Sequence, residues 1–282
     1  MILYTSGSTG RPKGVMHTHR NVLADVRNLT NEWCISAHDR WLLHTSVSFA
    51  NSVRTIYGAL LNGAAVYPFD SKRKGFGELS DWLLSNEITI LRSVPTTFRN
   101  FMSTVPEGRT FPAVRILSVG GEPMFRADLD YFNRHFLPHC VLVHALGPTE
   151  CLTVCWSCIP HGTRIGEGKL PIGYPLKDKE VLLLDEAGRE VAEEEVGEIA
   201  VKSRYISPGY WRDPDRTKTA FLPGPRGGDE RIYLTGDLGW RSKGGCLSHI
   251  GRQDFLVKIR GFRIDVSEIE IALPIWTASK MP

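Results

Sequence analysis

Apolar and polar positions alternate with two periods along the first 145 residues of this chain. Apolar residues up to Tyr4 predict a strand that runs into a Ser/Thr/Gly cluster. Val22, Leu23, Val26 and Leu29 fall at helical spacing and predict a helix over 17–34, with Asn21 able to cap it. Short apolar runs predict strands at 41–48, 64–68, 88–91, 114–119 and 140–145. Helices are predicted between them: Ile56 to Leu61, 78–87, a segment through Phe98, Phe101 and Met102, and 125–136. This alternation indicates an α/β layer with a largely parallel sheet. After about residue 165 the texture changes. Short β segments at 181–185, 196–202, 231–234 and 246–250 are separated by turn residues, which indicates a small β-rich subdomain. The expected division is 1–165 for the α/β part and 166–252 for the β-rich part.

Three stretches carry chemistry. The first is Leu3 to Gly14, with Thr5, Ser6, Gly7, Ser8, Thr9 and Gly10 ahead of Arg11-Pro12-Lys13-Gly14. Glycines let backbone N–H groups turn toward an anion, hydroxyls add donors and Lys13 adds charge, so the stretch is expected to grip phosphate. A helix directly after it would aim its N-terminal dipole at the anion. The order is not that of the common P-loop, because Lys13 is followed by Gly14 rather than Ser or Thr, and no Gly-x-Gly-x-x-Gly run fits. His17 and His19 read as structural. The second stretch, Ala145-Leu146-Gly147-Pro148-Thr149-Glu150, ends the last strand of the α/β part, where ligands of parallel sheets bind. Thr149 offers a hydroxyl and Glu150 a hard oxygen for Mg²⁺. In the third, Tyr233 to Leu238, Asp237 on a strand-ending turn suits paired hydrogen bonds to ribose hydroxyls.

The 282 residues are 42% hydrophobic and 23% charged, ordinary for a globular protein, and a net charge of +3 gives no argument for nucleic acid. No apolar run is long enough to span a membrane and no signal-peptide pattern opens the chain. Six cysteines are too sparse for a disulfide framework, so a reducing, cytoplasmic location is expected. Cys155-x-x-Cys158 with His161 lacks a second pair, and the thiols read as buried and structural rather than as zinc ligands.

Together these stretches resemble the adenylate-forming superfamily, which includes acyl-CoA synthetases, luciferases and the adenylation domains of nonribosomal peptide synthetases. The similarity extends through Pro95-Thr96, Gly120-Gly121-Glu122, Gly197-Glu198-Ile199, Pro208-Gly209-Tyr210-Trp211 and Gly251 to Asp265, in order and to about residue 272. It implies a fold that forms part of the large N-terminal domain of such an enzyme. The implied activity is ATP-dependent activation of a carboxylic acid as an acyl-adenylate, followed by transfer to the thiol of CoA or of a carrier protein's phosphopantetheine. It implies that Lys13, Thr149 and Glu150 act in catalysis, that Glu150 binds Mg²⁺, and that the loop residues with Gly121, Glu122, Leu146, Gly147, Thr149, Asp237 and Arg252 hold ATP. It also makes Asp254 a hinge and 253–282 the start of a smaller domain.

Several positions depart from the family pattern. Leu146 stands where an aromatic residue usually stacks on adenine, and Asp265 where Glu is usual. The resemblance implies further segments before the loop and after the hinge, including a lysine that contacts the carboxylate and α-phosphate. Lys280 lacks that lysine's context. The chain is therefore expected to be a piece of a larger enzyme, poorly soluble or nearly inactive by itself, or else a nucleotide-binding remnant. By resemblance the acid pocket is lined by Ala50, Asn51, Arg54, Arg92, Ser118, Gly120, Ala145, Thr153 and Val154. Peptide-synthetase domains usually carry Phe-Asp where Phe49-Ala50 stands. Without that carboxylate an ammonium group loses its partner, so a substrate lacking an α-amino group is expected.

Overall fold

The computed structural model describes residues 1–5, 12–166, 168–253, 256–259 and 262–265, the last two stretches by their backbone only. Ser6 to Gly10 and Asp254 lie outside the described residues. The chain opens with β1 (Ile2–Thr5) and β2 (Lys13–Met16), an antiparallel pair in which Thr5 faces Lys13. Helix α1 (His19–Trp33) begins only after β2. The expected strand–loop–helix is thus a hairpin whose second strand pairs back on the first, and it places Lys13 at the end of the hairpin nearest the connecting residues. Thr18, not Asn21, caps α1, its hydroxyl accepting the Asn21 N–H.

The alternating part follows as β3 (Arg40–Leu43), α2 (Ala50–Leu60), β4 (Ala65–Pro68), α3 (Ser71–Lys74), α4 (Leu79–Ser85), β5 (Ile90–Ser93), α5 (Pro95–Met102), β6 (Ile116–Gly120), α6 (Arg126–His135) and β7 (Val141–Leu146). Strands β8 (Cys155–Pro160) and β9 (Tyr174–Pro175) complete a seven-stranded sheet in the order β4-β3-β5-β6-β7-β8-β9. The first five are parallel and the last two antiparallel. Because both faces are covered, most strand positions are apolar toward both sides rather than alternating, with Arg92, Ser118 and His144 among the polar exceptions. Leu91, Leu117 and Leu142 point into one core with Phe98, Phe101 and Phe132. Their neighbours Ile90, Ile116 and Val143 point into another, against Leu29 and Trp33 of α1 and Ala59 of α2. Helix α2 starts six residues earlier than the apolar run at Ile56 indicates, which carries Ala50, Asn51 and Arg54 onto a helix.

The second sheet holds β10 (Glu180–Leu184), β11 (Val196–Ser203), β12 (Phe221–Pro223), β13 (Arg231–Arg241) and β14 (Leu247–Arg252), with α7 (Pro214–Ala220) leading into β12. The order is β10-β11-β13-β12, and β14 also pairs with β13. Strand β13 does not stop at 234 but continues to Arg241, so Asp237 lies inside a strand rather than on a terminal turn. Gly236, at φ +70, takes up the irregularity that lets the strand continue. Beyond it, β15 (Leu256–Ile259) and β16 (Phe262–Asp265) form an antiparallel pair. A core of Val15, Leu146, Val154, Ile199, Tyr210, Phe221, Tyr233 and Leu247 joins the β1–β2 hairpin to both sheets.

Candidate functional site

The first cluster forms where β2 meets the turn after β7. Val15 bridges to Tyr210, and Trp211 N–H donates to the Gly14 carbonyl at 2.7 Å, so the Pro208–Trp211 segment lies along β2. The Ser207 N–H donates to the Glu150 carbonyl at 2.8 Å, which ties the same segment to the turn. The side chains then converge. Lys13 Nζ lies 2.6 Å from Glu150 Oε1 and donates to the Tyr210 hydroxyl at 2.9 Å, and that hydroxyl donates to Glu150 Oε1 at 2.9 Å. Glu150 is wholly buried and Lys13 nearly so. A buried carboxylate is tolerated only with this kind of pairing.

His17 is buried beside this cluster. Burial pushes its imidazole down to about 4, against the raising influence of the Thr149 backbone and the Glu150 carboxylate, so it is neutral at physiological pH. The Thr5 hydroxyl oxygen is also buried, on the other strand at the same end of the hairpin, with no hydrogen-bond partner among the described residues.

A second cluster lies on β13 and β14. Asp237 faces Arg252 across the two strands, and Arg252 Nη1 donates to Asp237 Oδ1 at 2.5 Å. Arg252 Nη2 also reaches the Thr235 carbonyl at 3.3 Å, and His249 Nε2 lies 3.3 Å from Asp237 Oδ1. Thr235 locks the backbone, accepting the Asp237 N–H at 3.0 Å while donating to the Ile199 carbonyl at 2.7 Å. Glu198, from the Gly197-Glu198-Ile199 motif, accepts the Gly236 N–H at 2.8 Å. Packed rings link the two clusters: Tyr210 meets Phe221 edge-on with centroids 5.5 Å apart, and Phe221 lies tilted against Tyr233 at 4.8 Å.

A third cluster sits between α1, α2 and the carboxyl ends of β5–β7, and brings together Asp25, Arg54, Arg92 and Thr153. All four are buried. Arg92 is in register with Ser118, and Gly120 with Ala145, so these side chains share one face of the sheet. A Cβ at Gly147 would lie 2.1 Å from the Leu152 carbonyl oxygen and 2.7 Å from Arg54 Nη2, and one at Gly120 would lie 2.3 Å from the Ala145 oxygen. Backbone approaches both glycines too closely for a side chain, and at Gly147 the Arg54 guanidinium does so as well. Ala50 and Asn51 are half-buried on the first turn of α2. Val154 and Leu146 instead pack into the core that joins the sheets, where the Leu146 carbonyl accepts the Val154 N–H at 2.9 Å.

Glu122 holds the start of α5, accepting the Thr96 N–H at 2.9 Å and the Thr96 hydroxyl at 2.6 Å, and Gly121 turns the chain at φ +91. Cys155 is buried while Cys158 is exposed, so their thiols do not converge, and only the first of the pair is a buried thiol. His161 Nε2 is paired with the Asn133 carbonyl at 3.0 Å. Tyr210 and Asp25 are site residues that sequence reasoning missed. Tyr210 lies within the Pro208–Trp211 motif, which marks the segment but not the contact, whereas Asp25 is one acid on a helix with no local signal.

As to Mg²⁺, no group of three ligating side chains is assembled among the described residues. A lone carboxylate such as Glu150 suits Mg²⁺ that arrives with substrate phosphates, not a resident metal ion.

The family described as "AMP-binding enzyme" matches residues 1–211. Gramicidin S synthase 2 of Brevibacillus brevis is 34% identical over 273 residues, covering 96% of this chain and 6% of that protein. Zwittermicin A synthase ZmaJ of Bacillus cereus is 31% identical over 280 residues, covering 96% of this chain and 53% of that protein. The adenylation domain AlmE of Vibrio cholerae, solved in complex with glycyl-adenosine-5'-phosphate, superposes with a TM-score of 0.84 at 26% identity, over 95% of this chain and 51% of that one. PA1221, a nonribosomal peptide synthetase protein containing adenylation and PCP domains, superposes with a TM-score of 0.80 at 30% identity, over 96% and 47%. The chain thus spans from 6% to 53% of the length of these proteins.

Proposed function

We propose that this chain, which belongs to the AMP-binding enzyme family, activates a carboxylic acid with ATP. The carboxylate oxygen attacks the α-phosphorus, the bond to the β-phosphate bridging oxygen breaks, and pyrophosphate leaves with that oxygen. The observation that carries this reading is the meeting of Lys13 and Glu150, 137 positions apart in sequence, at 2.6 Å beside the Thr149 turn. A lysine held at the base of a Ser/Thr/Gly loop supplies positive charge for a polyphosphate, and the carboxylate that holds it is the natural partner for Mg²⁺ entering with ATP. When bound, Mg²⁺ would neutralise phosphate charge. Tyr210 keeps Lys13 and Glu150 aligned, and Thr149 offers a hydroxyl to the phosphate side. Asp237, tethered by Arg252, offers its carboxylate to ribose hydroxyls. Ser6 to Gly10 would add donors to the phosphates.

The acyl-adenylate would then pass to a thiol, either that of CoA or of a carrier protein's phosphopantetheine. The presence of a PCP domain beside the adenylation domain of PA1221 supports the carrier protein. A cytoplasmic enzyme accords with that pairing, and no helix among the described residues is long and apolar enough to cross a membrane.

The expectation of an acid without an α-amino group is corrected. AlmE, whose fold this chain shares, holds a glycyl adenylate. Moreover, Ala50 does not leave the pocket without a carboxylate, because Asp25 from α1 stands in it, 3.4 Å from Arg54.

ATP–pyrophosphate exchange with a panel of carboxylic and amino acids tests the activity. It should be run on this chain and on a longer protein that contains it. Acid-dependent exchange is the expected result. ATP binding with no exchange for any acid, in either protein, would reduce the chain to a nucleotide-binding module.

A further inference from the structure

The third cluster carries more positive charge than its own residues balance. Arg54 on α2 and Arg92 on β5 are 8% and 4% exposed, against a single carboxylate, Asp25, at 4%. That carboxylate is only partly available. Its Oδ1 accepts the Thr153 N–H at 2.9 Å, and its Oδ2 stands 3.4 Å from Arg54 Nε without an aligned hydrogen bond. Nε and Nη2 of Arg54, and Nε and Nη1 of Arg92, have no hydrogen-bond partner among the described residues. The Arg92 guanidinium lies over Trp33, 5.2 Å from the ring centroid, which occupies its face but not its N–H edge. Buried guanidinium N–H groups are otherwise paired, because leaving one dry and unpaired is unfavourable. Burial, and then the charge of Arg54, push Arg92 down to about 9, so it stays cationic at neutral pH.

The location points to a ligand. Arg92 lies on the strand whose carboxyl end opens toward the site, in register with the small Ser118, and next to it Gly120 pairs with Ala145. Arg54 Nη2 rests against Gly147, three residues before Glu150. A short acid with its reacting carboxylate near the Thr149–Glu150 turn would extend its other end toward the two guanidinium edges.

Resting on the adenylation reading above, we infer that Arg54 and Arg92 form a subsite for a second anionic group on the substrate. The acid activated is then an acidic amino acid. A carboxylate there would receive charge-assisted hydrogen bonds from N–H groups that the protein itself leaves unused, and would balance the excess charge.

Pyrophosphate exchange with matched pairs tests this, measured on the protein as the cell makes it. The pairs are aspartate against asparagine and glutamate against glutamine. The acidic member of at least one pair should show a kcat/KM at least about tenfold higher, since a polar site rejects an analogue that leaves its groups unpaired. Which pair responds distinguishes the shorter acidic side chain from the longer one. Arg92→Gln should remove the preference and Arg92→Lys should keep part of it, whereas a purely structural arginine would lower both members of a pair alike. Thermal melting of each variant checks folding, and should Arg92→Gln fail to fold, the wild-type pairs and Arg92→Lys decide. Exchange that runs equally well or better with the neutral members overturns the subsite. Exchange with no acid overturns the adenylation reading instead. The subsite is then decided by calorimetric titration with aspartate, glutamate and their amides, and equal or absent binding of the acidic members overturns it too.

Discussion

Lys13 Nζ and Glu150 Oε1, 2.6 Å apart, are held together by a hairpin strand on one side and a strand-end turn on the other, with the Tyr210 hydroxyl touching both. Neither charge has water to fall back on, so each depends on the other. Removing one partner leaves an uncompensated buried charge, which costs about 3–5 kcal/mol. Lys13→Met and Glu150→Gln are each expected to lower unfolding free energy on that scale. The double variant should lose clearly less than the sum. Urea denaturation of the four proteins measures the coupling, and strict additivity would show that the pair is not the interaction described.

Asp237 owes its orientation to Arg252 across the β13–β14 pair, at 2.5 Å. Asp237→Asn keeps the shape but removes the charge that receives Arg252 and that, on the proposed reading, would receive ribose. The KM for ATP in pyrophosphate exchange should rise by about ten- to a hundredfold, the cost of one or two charged hydrogen bonds. Arg252→Gln should produce a similar rise that does not add fully to the first, because both act through one carboxylate. An unchanged KM in either variant would remove Asp237 from the nucleotide site.

Gly147 is pinned by backbone, since a methyl group there would meet the Leu152 carbonyl oxygen at 2.1 Å. Overpacking against backbone cannot be relieved by a side-chain rotation. Gly147→Ala is expected to destabilise by about 1–3 kcal/mol or more and to disturb Arg54, whose Nη2 would lie 2.7 Å away. Gly77→Ala, with open space around it, should stay within about 0.5 kcal/mol. Thermal melting of the two variants in parallel checks the contrast.

His17 makes stability depend on pH. Its folded value, about 4, lies below the unfolded 6.5, so between these values the unfolded chain binds the extra proton. The stability it contributes is therefore fully present above pH 6.5 and is lost as pH falls from 6.5 toward 4, by about 3 kcal/mol in all. His17→Gln should flatten that part of the stability curve relative to the parent. Equal slopes for the two proteins in calorimetry between pH 7 and 4.5 would contradict the assignment.

Much of the fold could be read along the chain. The parallel strands of the first sheet are short, mostly apolar and separated by helices, because both of their faces are covered. Boundaries failed where local pattern and pairing disagree. Lys13–Met16 looks like loop until its backbone finds Ile2–Thr5 and the Pro208–Trp211 segment. Similarly, Gly236-Asp237 looks like a turn until Gly236 absorbs the irregularity and β13 runs on to Arg241.

The sequence by itself determined the kinds of groups that serve this protein. It set a Ser/Thr/Gly loop with a lysine, a Gly-Pro-Thr-Glu turn, an aspartate and an arginine in the Thr-Gly-Asp and Gly-Arg stretches, and two arginines among small residues, because local chemistry and motif order are one-dimensional. Only the tertiary structure decided which of them meet. It paired Lys13 with Glu150 and Tyr210, aligned Asp237 with Arg252, and brought Asp25 from α1 beside Arg54, in a cluster whose two arginines it cannot balance. Charge balance in a buried site is a property of the whole neighbourhood, and α1, α2 and β5 become neighbours only when the sheet closes over its cores.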